Sequence, residues 1–354
     1  MSATQHAWAV VEHGKPLQKI EKPIPEPTGT EILIKVTHCG VCHSDLHFHE
    51  GFYERGGGKR VYLKDRGATL PRALGHEIIG TVVKLGPNAE QLSLGASRIV
   101  YPWTGCQKCR RCEDEDDNLC LAQRNCGVQT DGGYAQYLTV PHAKYLVDYG
   151  DLDPAVACTF ACSGLTVLSS IQKIMPLRLQ DPILLIGAGG LGLAGITLLR
   201  ALGYEKIISA DISLEKREIA LETGASAVVD SSGEDPAKAA IEVAGGPIYG
   251  VLDFVNNKQT ANFAIGALGK GGKMVAIGLA GGEINLSLVD MIFKSVTIVG
   301  NITGTPRNLR DVTQLAKEGK LAPVPVTRIP WDQANEALNQ LRDGKVSGRL
   351  ILVH

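Results

Sequence analysis

Four cysteines, Cys106, Cys109, Cys112 and Cys120, form C-x2-C-x2-C-x7-C in a loop dense with charge. Thiolates this close in the chain can close a tetrahedron around zinc, which takes sulfur at about 2.3 Å. Four-cysteine spacing alone also admits an iron–sulfur cluster. Zinc is the expected occupant, and with sulfur at every corner it has no open position for a reactant. Such a metal is structural: it clamps a loop with almost no apolar residues to fold around.

A second constellation is GAGGLG at 187–192, set between the run ILLIG and the apolar LGLAGITLLRAL. Glycine-rich turns also arise for purely structural reasons, so the context decides. A strand before and a helix after are the setting of a dinucleotide-binding turn. There Gly187 permits the tight turn, Gly189 lets the backbone approach a pyrophosphate, and Gly192 allows close helix–strand packing. The amides of Gly190 and Leu191, at the helix N-terminus, face the phosphates. The next strand, KIISAD, ends in Asp211, 24 residues beyond Gly187. A carboxylate there accepts hydrogen bonds from ribose hydroxyls and repels a 2′-phosphate, so NAD(H) is expected over NADP(H). Lys216, five residues on, is also within reach of that ribose.

Three further groups stand alone: Cys42 in CGVCHSDLH, His76 in LGHEIIG and Cys162 in ACSGLTV. No spacing joins them. Taken singly, each is as well explained as a small buried thiol or a satisfied loop histidine.

The elements that must position these groups change character along the chain. In the first third, residues 31–37, 78–85 and 134–140 alternate or are β-branched, and read as strands. From about residue 165, strands at 183–187, 207–211, 227–230, 250–255, 273–277 and 296–300 alternate with helices at 191–202, 214–222 and 259–268. That pattern predicts an α/β fold with a doubly wound, six-stranded parallel sheet. It also explains the uncharged stretch 182–199 as strand, turn and helix, not a membrane span. The tail, with a helix near 334–341 and a strand at 348–353, is expected to return to the first domain.

A chain of 354 residues exceeds one compact core, so two domains are expected. A net charge of −1 gives no overall attraction to nucleic acid or anionic lipid, and neither is expected as a partner. The start, MSATQHAWAVVEHGK, has no cationic segment followed by an apolar one. Nine cysteines then suggest thiolate chemistry in a reducing compartment, and a cytoplasmic protein.

Taken together, the motifs resemble a known family. GVCHSD, GHE, CSGLT, the four-cysteine lobe, GAGGLG with Asp211 and a near-terminal GRLIL occur here in the order of the zinc-containing medium-chain alcohol dehydrogenases. The likeness runs from end to end and is strongest with the tetrameric microbial branch. The segment GFYERGGGKRVYLKDRGATLPRALGHE is similar to that of archaeal members. The resemblance implies a β-rich, GroES-like catalytic domain from 1–162 and 302–354, and a Rossmann domain from 163–301. It implies two zinc ions per subunit, NAD(H), and a homotetramer with a dimer as the alternative. The implied reaction is oxidation of primary or secondary alcohols to aldehydes or ketones, and its reverse. Cys42, His76 and Cys162 would hold a catalytic zinc with one position open. Glu77 would stand beside it as a transient ligand, and Asp45 would orient His76. Ser44 would take the alcohol proton and pass it through the nicotinamide ribose hydroxyl to His47. His43 and Arg349 would neutralise the pyrophosphate, with Thr166 near the nicotinamide. Phe48, Trp103 and Leu279 would line the pocket where substrate meets cofactor.

Departures from the family pattern are small. GASRIV at 95–100 replaces the common GDRV, which touches a turn and not the chemistry. Cys39, Cys126 and Cys158 have no implied role and are expected to be buried thiols. A polyol dehydrogenase of the same superfamily is disfavoured because such relatives lack a cysteine at the position of Cys162. A non-catalytic protein keeping only the structural zinc would have lost one of Cys42, His76 or Cys162, and all three are present.

Overall fold

A computed structural model describes residues 3–354. The β-rich part centres on Ile32–Val41, whose ILIKVTHCGV sequence pairs antiparallel with three partners: Glu77–Leu85, Tyr137–Val140 and the tail strand Arg349–Val353. Leu146–Val147, Ser97–Val100 and Val326–Pro330 complete a seven-stranded sheet. A three-stranded sheet of Gln18–Pro23, Thr4–Val10 and Arg72–Ala73 accompanies it. The tail is held there by burial: Leu350, Ile351 and Leu352 are at most 4% exposed, and each such side chain contributes about 1.5–3 kcal/mol. Register does the positioning. Gly40 faces Glu77 on one side of the central strand, and Val41 faces Leu350 on the other. Residues 272 positions apart, Glu77 and Arg349, therefore meet.

The second system is the expected doubly wound sheet. Six parallel strands lie in the order Ala227–Asp230, Ile207–Asp211, Ile183–Ile186, Ile248–Asp253, Leu268–Ala276 and Thr297–Gly300. Helices such as Gly190–Ala201, Leu214–Thr223 and Lys258–Ala267 connect them. ILLI is buried on both faces, as a parallel sheet between helical layers requires. The fourth strand starts and ends two residues earlier than the sequence pattern suggests. Helices Ser163–Ile174, Pro236–Ala244, Leu288–Lys294 and Pro306–Lys317 were not anticipated from the sequence. Proline at the first turn with Asp235 or Thr305 as N-cap is a start signal that two of them do carry. The strand order reverses between Ile183–Ile186 and Ile248–Asp253, so a crevice opens outside the carboxyl ends of these two strands. Among the described residues no single helix is long and apolar enough to cross a membrane.

Candidate active site

Cys42 directly follows the central strand and is the N-cap of the helix His43–Glu50. Asp45 closes a capping box by accepting from the Cys42 amide at 2.9 Å. Its other oxygen accepts from Gly75 N at 3.2 Å and lies 3.2 Å from Nδ1 of His76. One buried carboxylate thus ties Cys42 to the GHE segment. Gly75 adopts φ +93, and a Cβ there would stand 2.6 Å from the Cys39 sulfur, so glycine is needed to bring His76 in. Cys162 arrives separately as the N-cap of Ser163–Ile174. Two of the three groups therefore sit at helix N-termini, where the partial positive charge favours a thiolate.

The structure brings Cys42, His76 and Cys162 together, all buried, with donor atoms within 4.8 Å of one another. The two sulfurs are 3.9 Å apart. A tetrahedron with Zn–S of about 2.3 Å has an edge of about 3.8 Å. Nε2 of His76 is buried and has no protein partner, an orphan that a metal would satisfy. The donor set therefore fits zinc with a fourth position open. The Cys42 thiol is held well below the ordinary range, first by the hydrogen bond from Cys162, then against burial by His76 and Arg349. Glu77 pairs with Arg349 through one carboxylate oxygen while the other is buried and unpaired. Burial raises the Glu77 carboxyl, against the pull of the Arg349 guanidinium.

Around the cluster, Trp103 lies 5.1 Å from the His76 ring and Phe48 lies 6.1 Å from it. Ser44 and His47 are half-buried, three residues apart and so on one face of the helix, whereas His43 is exposed. Burial lowers the His47 pKa below its ordinary value. Sequence reasoning missed Tyr53, on the strand Phe52–Gly56, which packs 5.0 Å from His47 and edge-on to Phe48. Two short runs flanking GGG at 56–58 were the hairpin signal that could have found it.

The four-cysteine cluster is equally compact. All four donors lie within 4.8 Å, with Cys109 at 3.6 Å from Cys112 and 3.8 Å from Cys120. The separations again match a tetrahedral edge. The Lys108 amide, first among several donors, brings Cys106 down to about 7. Asp117 anchors the loop from within, accepting from Tyr145 Oη at 2.6 Å and Lys144 Nζ at 3.0 Å.

The glycine turn begins at the mouth of the crevice. Gly187 has φ +97, and a Cβ on Gly192 would fall onto the Gly187 carbonyl. At Gly189 a Cβ would meet nothing within 4 Å, so that backbone faces open space. Gly190 lies against Arg349, whose Cδ would be 2.5 Å from a Cβ there. Arg349 thereby touches both the turn and Glu77. Asp211 accepts from Ala188 N at 2.8 Å and Ser213 N at 2.9 Å, joining the end of its strand to the turn. Lys216 lies in the first turn of the following helix, Leu191 is half-buried, Thr166 is buried one turn after Cys162, and Leu279 is 48% exposed, three residues beyond the strand Leu268–Ala276.

A β domain carrying an open two-cysteine, one-histidine centre, set against a doubly wound sheet with a glycine turn, defines a zinc-binding, dinucleotide-dependent dehydrogenase. Residues 28–151 match the family described as alcohol dehydrogenase GroES-like domain, and residues 190–318 that described as zinc-binding dehydrogenase. The chain is 34% identical to the NAD-dependent alcohol dehydrogenase of Sulfurisphaera tokodaii over 98% of its length and 99% of that protein's. It is 30% identical to a D-arabinose 1-dehydrogenase (NADP(+)) of Saccharolobus solfataricus, covering 96% and 94%. Among solved structures, the alcohol dehydrogenase of Aeropyrum pernix superposes with a TM-score of 0.90 at 27% identity, covering 99% and 100%. The chain belongs to the zinc-containing alcohol dehydrogenase family, with the microbial and archaeal members as its relatives.

Proposed function

We propose that this protein oxidises small alcohols to aldehydes or ketones with NAD, and runs the reverse with NADH, at the Cys42–His76–Cys162 centre. The observation that carries this is a buried donor set open at its fourth corner, linked through Arg349 to a dinucleotide turn. Bound there, zinc would supply Lewis acidity toward the alcohol oxygen, and NAD would accept the hydride.

The chain's own residues do the rest. Asp45 holds His76 and fixes which ring nitrogen faces the metal position. Ser44 takes the alcohol proton, and His47, kept neutral by burial, carries it toward solvent. Glu77 is a reserve ligand whose free oxygen is already unpaired. Arg349 offsets pyrophosphate charge against Gly187, Gly189, Gly190, Leu191 and Gly192, and His43, its pKa lowered by desolvation of the ring, donates a hydrogen bond to the pyrophosphate. Asp211, with Lys216, receives the ribose and selects NAD. Thr166 and Leu279 flank the nicotinamide. Trp103, Phe48 and Tyr53 exclude water from the reacting carbon. Cys106, Cys109, Cys112 and Cys120 hold the second, structural zinc.

Residues 1–162 with 302–354 form the catalytic domain and 163–301 the cofactor domain. The assembly is a homotetramer. Self-association is supported by Leu288, Val289, Ile292 and Phe293, all more than half exposed, on the helix beside the sheet's last strand. Nine free cysteines suit the reducing cytoplasm. The test is a panel of aliphatic, cyclic and aromatic alcohols, with D-arabinose, against NAD and NADP, read at the reduced-nicotinamide absorbance. Turnover of an alcohol with NAD is expected. No turnover with any alcohol sinks the activity, and a preference for NADP sinks the role of Asp211.

A further inference from the structure

The last strand of the cofactor sheet, Thr297–Gly300, runs into a five-residue crossover, 301–305, before the helix Pro306–Lys317. Asn301 opens that crossover and is 9% exposed. Its amide nitrogen continues the sheet by donating to Ala276 O at 2.9 Å. Its side chain turns the other way, into Ser163–Ile174, the helix whose N-cap is Cys162. The two N–H groups of Nδ2 are shared among Thr166 O at 3.2 Å, Ser170 Oγ at 2.9 Å and Thr303 O at 2.9 Å, and Oδ1 accepts from Ser169 Oγ at 3.0 Å.

The neighbouring residues hold the crossover from its other side. Asn118, in the four-cysteine loop, donates to Ile302 O at 2.8 Å, and Tyr101 Oη donates to Gly304 O at 2.8 Å. Gly304 is pressed so closely onto the first turn of the Cys162 helix that a Cβ would lie 2.5 Å from Leu165 O. Thr303 holds φ +51, a conformation that its own side chain does not favour. Such a conformation persists only where the surroundings over-determine it.

We propose that Asn301 is a positioning residue for hydride transfer: it fixes the Cys162 helix against the cofactor sheet, and so sets the spacing of metal centre and nicotinamide. The inference rests on the catalytic assignment above. Thr166 and Cys162 belong to one helical turn, joined by the Thr166 N to Cys162 O bond at 3.0 Å. The same Asn301 side chain grips the carbonyl of Thr166. Its own backbone belongs to the sheet at whose carboxyl ends a dinucleotide binds. A single amide therefore couples a metal ligand to the cofactor platform. Its hydrogen bonds to that helix are buried. Replacing it leaves the Ser169 hydroxyl without its acceptor, while Ser170 Oγ and Thr166 O keep the 2.7 Å bond between them, so the helix loses its side-chain tie to the sheet and is free to shift against it.

Asn301→Ala removes all four side-chain contacts, and Ser169→Ala removes one, so the second variant serves if the first folds poorly. Zinc content, NADH affinity by fluorescence titration and single-turnover hydride transfer are measured for each. Cobalt substituted at the catalytic site reports ligand geometry through its visible spectrum. The expected result is two metals per subunit as in the native protein, a shifted cobalt spectrum, and hydride transfer slowed on the order of tenfold to a hundredfold. Ser169→Ala should move the same readouts in the same direction by less. Native spectra and transfer rates in both variants, with only melting temperature lowered, would overturn the proposal. A native protein that transfers no hydride from any alcohol would instead remove the catalytic assignment on which it rests.

Discussion

Replacing Gly192 by alanine should weaken cofactor binding on the order of a hundredfold while leaving both metal centres intact. A Cβ at position 192 would stand 3.0 Å from the Gly187 carbonyl carbon and still closer to its oxygen. The oxygen, the nearer of the two, sets the limit. Non-bonded heavy atoms pack at about 3.5 Å, so helix and turn must separate by about an ångström or more. Both offending atoms are backbone, and no side chain can swing aside. Overpacking of this kind costs about 1–3 kcal/mol of stability. The larger effect is expected on the ligand, because the free amides at the start of Gly190–Ala201 are the ones proposed to meet the phosphates. A misplacement approaching 1 Å costs on the order of a hundredfold. NADH fluorescence titration beside a thermal melt separates the two effects. Binding within threefold of native would refute the packing argument, because the clash would then have been relieved without moving the turn.

Other perturbations separate the remaining roles. Asp45→Asn should weaken catalytic zinc by about 10- to 100-fold in a chelator competition, with the four-cysteine zinc unaffected. Ser44→Ala should slow turnover on the order of 10²–10⁴-fold while NADH binds nearly as before, and unchanged turnover would remove Ser44 from the proton route. Acid sensitivity should trace partly to His49. Its Nε2 donates to Lys15 O at 2.6 Å, and its Nδ1 accepts from Arg342, which leaves no place for a second proton. Burial, then Arg342, lowers its pKa, while the Lys15 carbonyl and Glu50 oppose the shift. The unfolded chain therefore takes up a proton near pH 6.5 that the folded chain refuses, and stability should fall as pH drops below that value. His49→Gln should flatten the fall in urea midpoint between pH 7 and 5.5, and an unchanged slope would exclude His49 as a contributor.

Much of this was legible before any coordinates, for identifiable reasons. The parallel sheet is legible in runs such as ILLI, because strands buried on both faces are mostly apolar. GAGGLG and the four cysteines are local, and local spacing is what a sequence displays. The catalytic centre was legible only through resemblance, since Cys42, His76 and Cys162 are brought together by strand register and two helix caps. His43–Glu50 was not foreseen as a helix because HSDLHFHE has no apolar periodicity and few good helix formers. The Glu77–Arg349 pair and the contacts of Asn301 with Ser163–Ile174 span more than a hundred positions each, and no pattern in the chain marks them.

The central claim is an open, reactive zinc on Cys42, His76 and Cys162, distinct from a closed one. Metal analysis of the native protein beside Cys162→Ser, with NADH formation followed on the same samples, tests it most directly. The account predicts two zinc ions per subunit and turnover in the native protein. It predicts the variant to retain the four-cysteine zinc, lose or greatly weaken the other, and form no NADH above background. Two tightly held zinc ions and native turnover in the variant would contradict it.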